Sequence, residues 1–133
     1  MKASSARRMA ALERRLGELQ GELAEVGFFI SGSVVRRFMP CGTPGCRCQG
    51  DPPQLHGPYW QWSTRVGGKT MTRRLNPSQA AVYEQLVANR RRLRGIVAEM
   101  EKVSERAAEI LIEDTAEALA ASASNQLRSG RAR

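Results

Sequence analysis

The sequence predicts an α+β fold in which two long helices form a coiled-coil hairpin around a small antiparallel β unit with a zinc loop. Apolar residues recur at helical spacing near both ends of the chain, and residues between these stretches alternate as in strands. All three Cys residues and the single His lie in the same central stretch. With 133 residues, we expect one domain over residues 1–120 and a mobile basic tail at 121–133.

The first helix is expected at residues 5–26. Its apolar residues repeat with alternating spacings of three and four, which places them on one side of a helix as in a heptad pattern. Ser4 or Ser5 can cap its start, and Gly27 is a natural stop. The residues of this pattern are Met9, Leu12, Leu16, Leu19, Leu23 and Val26.

The β unit is expected at residues 33–75. Ser33–Phe38 reads as a strand, and Tyr59–Val66 with Lys69–Leu75 reads as a hairpin closed by Gly67-Gly68. The two-residue turn fixes the register and pairs Val66 with Lys69 and Trp62 with Arg73. One side of the hairpin therefore carries both tryptophans and can pack, and the other side is polar and cationic.

The second helix is expected at residues 77–113, with Asn76 as its cap, Pro77 in the first position and Gln79 completing a capping box. It is longer than the first helix by several turns. If the first helix packs antiparallel on part of it, the apolar seam from Met100 to Leu111 lacks a partner within the chain. A homodimer through the long helix would cover this seam, and a partly frayed helix in a monomer is the alternative. The seam contains Val82, Leu86, Asn89, Leu93, Ile96, Met100, Val103, Ala107 and Ile110.

The central Cys/His stretch predicts a metal site. Three thiolates and one imidazole complete a tetrahedral ligand set for structural zinc, provided by Cys41, Cys46, Cys48 and His56. The alternative is three free or buried thiols with an exposed His. Catalytic zinc would need an open ligand position and a nearby acid or base, and only Asp51 is available locally.

The charge of the chain is concentrated at its centre. Residues 33–94 hold eleven basic and two acidic side chains, whereas residues 95–120 hold two basic and seven acidic ones. A solvated basic surface, partly due to codon bias in a GC-rich genome, is the alternative to phosphate binding, and Trp60 and Trp62 suit the core better than base stacking. The candidate nucleic-acid-binding residues are Arg36, Arg37, Arg47, Arg65, Lys69, Arg73, Arg74, Arg90, Arg91, Arg92 and Arg94.

The central motifs resemble those of a known family. The runs Gly32–Phe38, Pro40–Cys48, His56–Trp60 and Val66–Thr70, with Cys-x4-Cys-x-Cys followed by His-Gly-Pro-Tyr, resemble small bacterial proteins described as domain of unknown function 6788. The resemblance covers about residues 30 to 97, including Asn89–Leu93. It implies a bacterial domain with a shared Cys/His signature, and it implies no activity.

These patterns predict a non-enzymatic, zinc-stabilised accessory protein that binds DNA or RNA through phosphate contacts. The alternative is a protein-protein interaction module with a structural zinc loop and a coiled-coil docking surface. No residue set supports an enzyme or a small-molecule substrate. No stretch approaches the length of a membrane helix, and cysteines suited to metal binding fit a reducing compartment, so we expect a cytoplasmic protein without membrane contact.

Overall fold

The computed structural model describes residues 1–131 and contains two α-helices and a three-stranded antiparallel sheet, which confirms the α+β class. Along these residues, neither helix combines the length and the apolar character needed to cross a membrane. The elements in chain order are α1 (Ala3–Ala24), β1 (Ser33–Met39), a single 3₁₀ turn (Arg47–Gln49), β2 (His56–Val66), β3 (Lys69–Leu75) and α2 (Pro77–Arg131).

The chain divides into two compact units. The β unit comprises Val26–Leu93 and contains the sheet and the first turns of α2. It also contains the segment at 40–56 that carries the three Cys residues and the His, which we call the Cys/His loop. The helical unit comprises Met1–Glu25 together with the chain from Arg94 onward, and therefore contains α1 and the rest of α2.

The hairpin of the β unit has the register that the sequence predicts. Val66 pairs with Lys69 and Trp62 pairs with Arg73, and the strand order is β1-β2-β3. The turn requires glycine because Gly67 and Gly68 adopt φ angles of 56° and 80°. The strand β2 begins three residues earlier than expected, at His56, because the chain already pairs with β1 there.

One face of the sheet packs against the first turns of α2. The rings of Trp62 and Tyr83 lie 5.2 Å apart, and the Trp62 Nε1–H donates a hydrogen bond of 2.9 Å to the carbonyl of Ser31. Leu75 and Ala80 are buried here, so this face forms the core of the β unit. We call the opposite side the open sheet face; its residues are Val35, Arg37, Tyr59, Gln61, Ser63, Arg65, Thr70, Thr72 and Arg74.

The start of α2 has the predicted capping box. The N–H of Gln79 donates to Asn76 Oδ1 at 2.8 Å, and the N–H of Asn76 donates to Gln79 Oε1 at 3.0 Å. The polar Asn89 in the predicted seam also has a role, because its Nδ2–H donates to the carbonyl of Phe28 at 2.8 Å. Val82 was placed in the seam wrongly, since its side chain is 58% exposed.

In the helical unit, α1 lies alongside the second half of α2 and runs antiparallel to it. Lys2 Nζ lies 2.7 Å from Glu117 Oε1, and Arg8 Nη2 lies 3.3 Å from Glu113 Oε2. The expectation that the seam from Met100 to Leu111 lacks a partner is wrong, because Val103 and Ile110 in that seam are buried.

The helix ends differ from those expected. The helix α1 spans Ala3–Ala24 rather than 5–26, and Lys2, not Ser4 or Ser5, occupies the cap position without a side-chain cap. Ser5 is buried within the helix instead. The helix α2 continues to Arg131, past 113 and through most of the expected tail. The alanines between positions 116 and 123 favour helix over the first part of this extension. Residues 132–133 of that tail lie outside the described part of the chain.

Candidate metal centre and basic surface

The four Cys/His residues come from the segment between β1 and the start of β2. Cys41 follows β1, Cys46 precedes the 3₁₀ turn, and Cys48 lies inside that turn. His56 opens β2 and pairs with Met39 beside a bulge in β1. The sheet thus fixes both ends of the loop, and the 3₁₀ turn places two cysteines between them.

Backbone hydrogen bonds shape the loop around its sulfur atoms. The N–H of Cys46 donates to the carbonyl of Thr43 at 3.3 Å, and Gly45 adopts the left-handed φ of 81° that this tight turn needs. The N–H of Gln54 donates to the carbonyl of Arg47 at 3.1 Å. These bonds fold the loop back so that its cysteines meet His56.

The ligand atoms of Cys41, Cys46, Cys48 and His56 all lie within 4.8 Å of one another. The Sγ atoms of Cys41 and Cys48 are 3.5 Å apart, and Cys46 Sγ lies 3.1 Å from His56 Nε2. Neighbouring sulfur ligands of a tetrahedral zinc ion are separated by about 3.8 Å, given a Zn–S distance of about 2.3 Å. The four residues could therefore bind a metal ion after small shifts.

The environment favours a thiolate at Cys41. A hydrogen bond from the backbone N–H of Thr43, with further bonds from the other two thiols, lowers the pKa of Cys41 from 9.0 to about 6. At Cys48 the backbone N–H of Cys41 acts in the same direction, but burial and the neighbouring sulfur atoms outweigh it and raise the pKa. Several thiolates so close together repel one another, and a bound cation removes that repulsion.

The predicted basic residues lie in several places. Arg37, Arg65 and Arg74 lie on the open sheet face, where the guanidinium of Arg74 stacks 4.3 Å from the ring centroid of Tyr59. Arg91, Arg92 and Arg94 are exposed on α2, and Arg94 belongs to the helical unit. Arg47 lies in the Cys/His loop.

Other arginines contact the aromatic residues of the packed face. The guanidinium of Arg36 lies 5.8 Å from the ring centroid of Phe38 and 6.0 Å from that of Trp60. Arg73 Nη1–H donates to the hydroxyl of Tyr83 at 3.0 Å. These two arginines and Lys69, which shares their face, are therefore not on the open sheet face with Arg74.

Sequence analysis missed a polar cavity of about 410 Å³ in the β unit. Its lining residues come from β1, β2, β3, α2 and the segment before β1, so no short motif marks it. The only sequence signal is the recurrence of hydroxyl residues beside arginines. The lining residues are Ser31, Gly32, Ser33, Ser63, Thr64, Arg65, Thr70 and Arg90.

The fold and the loop define a small α+β protein with a Cys3His cluster that could bind a metal. The chain belongs to the family described as a domain of unknown function (DUF6788), whose model matches residues 9–85. This range begins in α1, earlier than the resemblance suggested, and ends before Asn89–Leu93. No curated protein and no solved structure matches the chain.

Proposed function

We propose that this protein is a non-enzymatic, zinc-stabilised nucleic-acid-binding accessory protein, in which the β unit binds the phosphates of DNA or RNA. The metal part rests on the proximity of Cys41, Cys46, Cys48 and His56. Zinc suits three thiolates with one imidazole, and the set contains four ligands, which is the full number for a structural site. A complete ligand set leaves no open position for catalysis, and its thiolates fit a reducing compartment such as the bacterial cytoplasm.

One observation carries the nucleic-acid part. The β unit holds ten basic and two acidic side chains, and none of the ten forms an ion pair with a carboxylate in residues 1–131. A surface with such an excess of guanidinium groups attracts polyanions and releases their counterions on binding. The net positive charge of the β unit therefore favours binding of nucleic-acid phosphates.

Three of these basic residues lie on the open sheet face. Arg37 and Arg74 lie near one end of the face and Arg65 lies near the other. Arg65 lies six residue steps along β2 from Tyr59, which corresponds to about 20 Å at roughly 3.3 Å per residue. That length suits several nucleotides of one strand. Tyr59, already stacked against Arg74, offers a ring for a base.

The helices are proposed to complete the protein as a coiled-coil hairpin. Residues of the three-four pattern in α1 and in the second half of α2 are buried or half-buried, as the heptad arrangement requires. This part of the proposal concerns stability alone, since the helical unit carries no charge excess.

Fluorescence anisotropy tests the nucleic-acid proposal. Metal-replete protein is titrated into labelled duplex and single-stranded oligonucleotides over a series of salt concentrations. We expect saturable binding. The logarithm of the association constant should fall linearly with the logarithm of the salt concentration, with a slope of about 0.9 per phosphate contact for duplex DNA and about 0.7 for single strands. The variant Arg74→Ala should bind more weakly and lose about one unit of slope.

The matched control is Arg14→Ala, which removes the same charge from an exposed position of α1 in the helical unit. It should leave both affinity and slope near those of the parent protein. Equal losses in the two variants would mean that only total charge matters, and the open sheet face would then have no special role.

Metal analysis tests the zinc proposal separately. We expect about one zinc ion per chain by elemental mass spectrometry after dialysis. Cobalt substitution should give the strong near-ultraviolet absorption of thiolate ligation. Protein that is fully folded without metal would contradict a structural role for the ion.

A docking surface for proteins is a second candidate, which a separate observation favours. Ile112, Leu119 and Leu127 in the later turns of α2 are 69%, 67% and 72% exposed. Exposed apolar side chains along one helix are suited to a partner helix, including that of a second copy. Sedimentation would show a dimer that Leu119→Glu dissociates; a monomer at all concentrations would exclude the homodimer.

A further inference from the structure

The polar cavity of the β unit brings together two arginines from different elements. Arg65 lies on β2 and Arg90 lies on α2, and both line the same space of about 410 Å³. No carboxylate is among its lining residues. Both side chains are positively charged and no acidic residue lines the space, so an anion bound there would be stabilised.

Neither guanidinium is fully satisfied by the protein. Arg65 Nη2–H makes a long hydrogen bond of 3.4 Å to the carbonyl of Gly68, its one hydrogen bond to residues 1–131. Arg90 is half-buried, and its side chain has no hydrogen bond or ion pair within the described chain. A half-buried guanidinium has lost part of its hydration, and its fork of N–H donors matches the oxygen atoms of a phosphate.

Hydroxyl groups complete the lining. The hydroxyls of Ser31 and Thr64 bond to each other at 2.6 Å, so this pair is already engaged. Ser63 has only long contacts, of 3.5 Å to Thr72 and 3.4 Å to Gln61. The hydroxyls of Ser33 and Thr70 make no hydrogen bond within residues 1–131 and remain available as donors. Such donors beside two arginines are typical of sites for phosphate oxygens.

Glycine at position 32 keeps the wall of the cavity close to the sheet. Gly32 adopts a φ of 105°, and a Cβ atom there would collide with the carbonyl oxygen of Ser63 and lie 2.8 Å from Trp62 Nε1. Only glycine allows this approach. The backbone then leads directly into β1, which places Ser33 beside Ser63 in the sheet register.

We propose that this cavity binds a phosphate group, held by Arg65 and Arg90 with Ser33, Ser63 and Thr70 as hydroxyl donors. This inference rests on the proposed function in one respect: the phosphate is that of a nucleic-acid backbone that continues onto the open sheet face. Ser63, Arg65 and Thr70 belong to both surfaces. A free phosphate or a mononucleotide presents the same chemical group and is the other source.

Isothermal titration calorimetry with inorganic phosphate and with a mononucleotide tests the cavity directly, in buffers matched for ionic strength with chloride. We expect saturable binding of one phosphate per chain. Arg90→Ala should weaken binding about tenfold, which is the effect of losing one charge-assisted hydrogen-bonding group. Arg90→Lys keeps the charge but loses the paired donors, so its affinity for phosphate should lie between those of the parent protein and Arg90→Ala.

Arg92→Ala is the matched control, because Arg92 is an exposed arginine two residues away on the same helix and does not line the cavity. It should bind phosphate like the parent protein. Zinc content and the circular dichroism spectrum establish that each variant is folded. Absence of saturable binding in the folded parent, or equal losses for Arg90→Ala and Arg92→Ala, would overturn the cavity as a phosphate site.

Oligonucleotide titrations of the parent protein and of Arg90→Ala distinguish failure of the cavity proposal from failure of the nucleic-acid proposal. If the protein binds phosphate and Arg90→Ala weakens that binding while no oligonucleotide binds, the cavity is a site for a free phosphate and the nucleic-acid proposal fails. If oligonucleotides bind equally to the parent and to Arg90→Ala and phosphate does not compete, the open sheet face is sufficient and the cavity proposal fails. Weaker oligonucleotide binding by Arg90→Ala, with competition by phosphate, supports both.

Discussion

The helical unit holds eleven basic and eleven acidic side chains, whereas the β unit holds ten basic and two acidic ones. The ion pairs found in residues 1–131 all lie in the helical unit, for example between Lys2 and Glu117 and between Lys102 and Glu99. Charge in the helical unit is therefore balanced within the fold. In the β unit the excess opposes folding by self-repulsion, and the polyanionic ligand proposed above would offset this repulsion.

The two units also differ in what stabilises them. The helical unit buries a row of aliphatic side chains, including Leu19, Val103 and Ile110. The β unit has a smaller apolar core, and its Cys/His loop contains Cys48 as the one buried residue between 41 and 56. Metal binding supplies folding free energy where apolar burial is limited. The comparison predicts that metal removal affects the β unit and that core truncation affects the helical unit.

The largest effect is expected for Cys46→Ser. Loss of one thiolate from the four-ligand set should abolish stoichiometric zinc and unfold the loop and hairpin. Because both tryptophans lie in β2, intrinsic fluorescence should change more than the helical signal in far-ultraviolet circular dichroism. Asp51→Ala is the control, since Asp51 lies in the same loop outside the cluster. Unchanged zinc content in Cys46→Ser would refute the ligand assignment.

The second effect concerns the core of the helical unit. Leu19 is 1% exposed, and Leu19→Ala should lower the free energy of unfolding by about 2–5 kcal/mol. Val82→Ala, at a position of α2 that is 58% exposed, should change it by less than about 0.5 kcal/mol. Urea unfolding followed by circular dichroism measures both values. Zinc content should stay at the parent level in both variants; its loss in Leu19→Ala would contradict the division of roles.

A smaller effect is expected at the start of α2. Asn76→Ala removes the side-chain oxygen that accepts the hydrogen bond from the N–H of Gln79, and it should cost about 1 kcal/mol. Denaturant midpoints at constant metal concentration measure this loss. Asn125→Ala, an exposed change within α2 away from the cap, should not be destabilising; an equal loss there would mean that the capping bonds contribute nothing specific.

The smallest effects should have opposite signs in the two units. Glu117→Gln removes the partner of Lys2 and should destabilise the protein slightly, and less at high salt, because both side chains are exposed. Arg37→Gln removes one charge from the basic open sheet face and should stabilise the ligand-free protein by a similar amount, again less at high salt. Thermal unfolding at two salt concentrations measures these changes. Destabilisation by both substitutions would contradict the contrast in charge.

Local sequence signals predicted much of the β unit. Gly67-Gly68 between alternating residues fixed the hairpin register, and Asn76 with Gln79 fixed the start of α2, because in both cases the interacting residues are close in sequence. The four metal-ligand candidates were also identifiable, since their residue types are rare in this chain and lie close together.

Long-range packing was not predictable in the same way. A three-four pattern specifies a helix face but not which part of a partner helix it meets, so the seam from Met100 to Leu111 was wrongly left without a partner. The polar cavity of the β unit is lined by Arg65 and Arg90, which only the packing of α2 against the sheet brings to the same space. The end of α2 was missed because residues 114–131 lack an apolar pattern, and only the alanines between 116 and 123 provide high helix propensity.

Salt-dependent anisotropy of two matched triple variants tests whether the open sheet face binds nucleic-acid phosphates. Arg37→Ala/Arg65→Ala/Arg74→Ala removes three charges from the open sheet face, and Arg7→Ala/Arg14→Ala/Arg128→Ala removes three exposed charges from the helical unit. We expect the first variant to lose about 2.7 units of salt slope on duplex DNA and the second to keep the parent slope. Equal slopes for both variants, or no saturable binding by the metal-replete parent protein, would contradict this expectation.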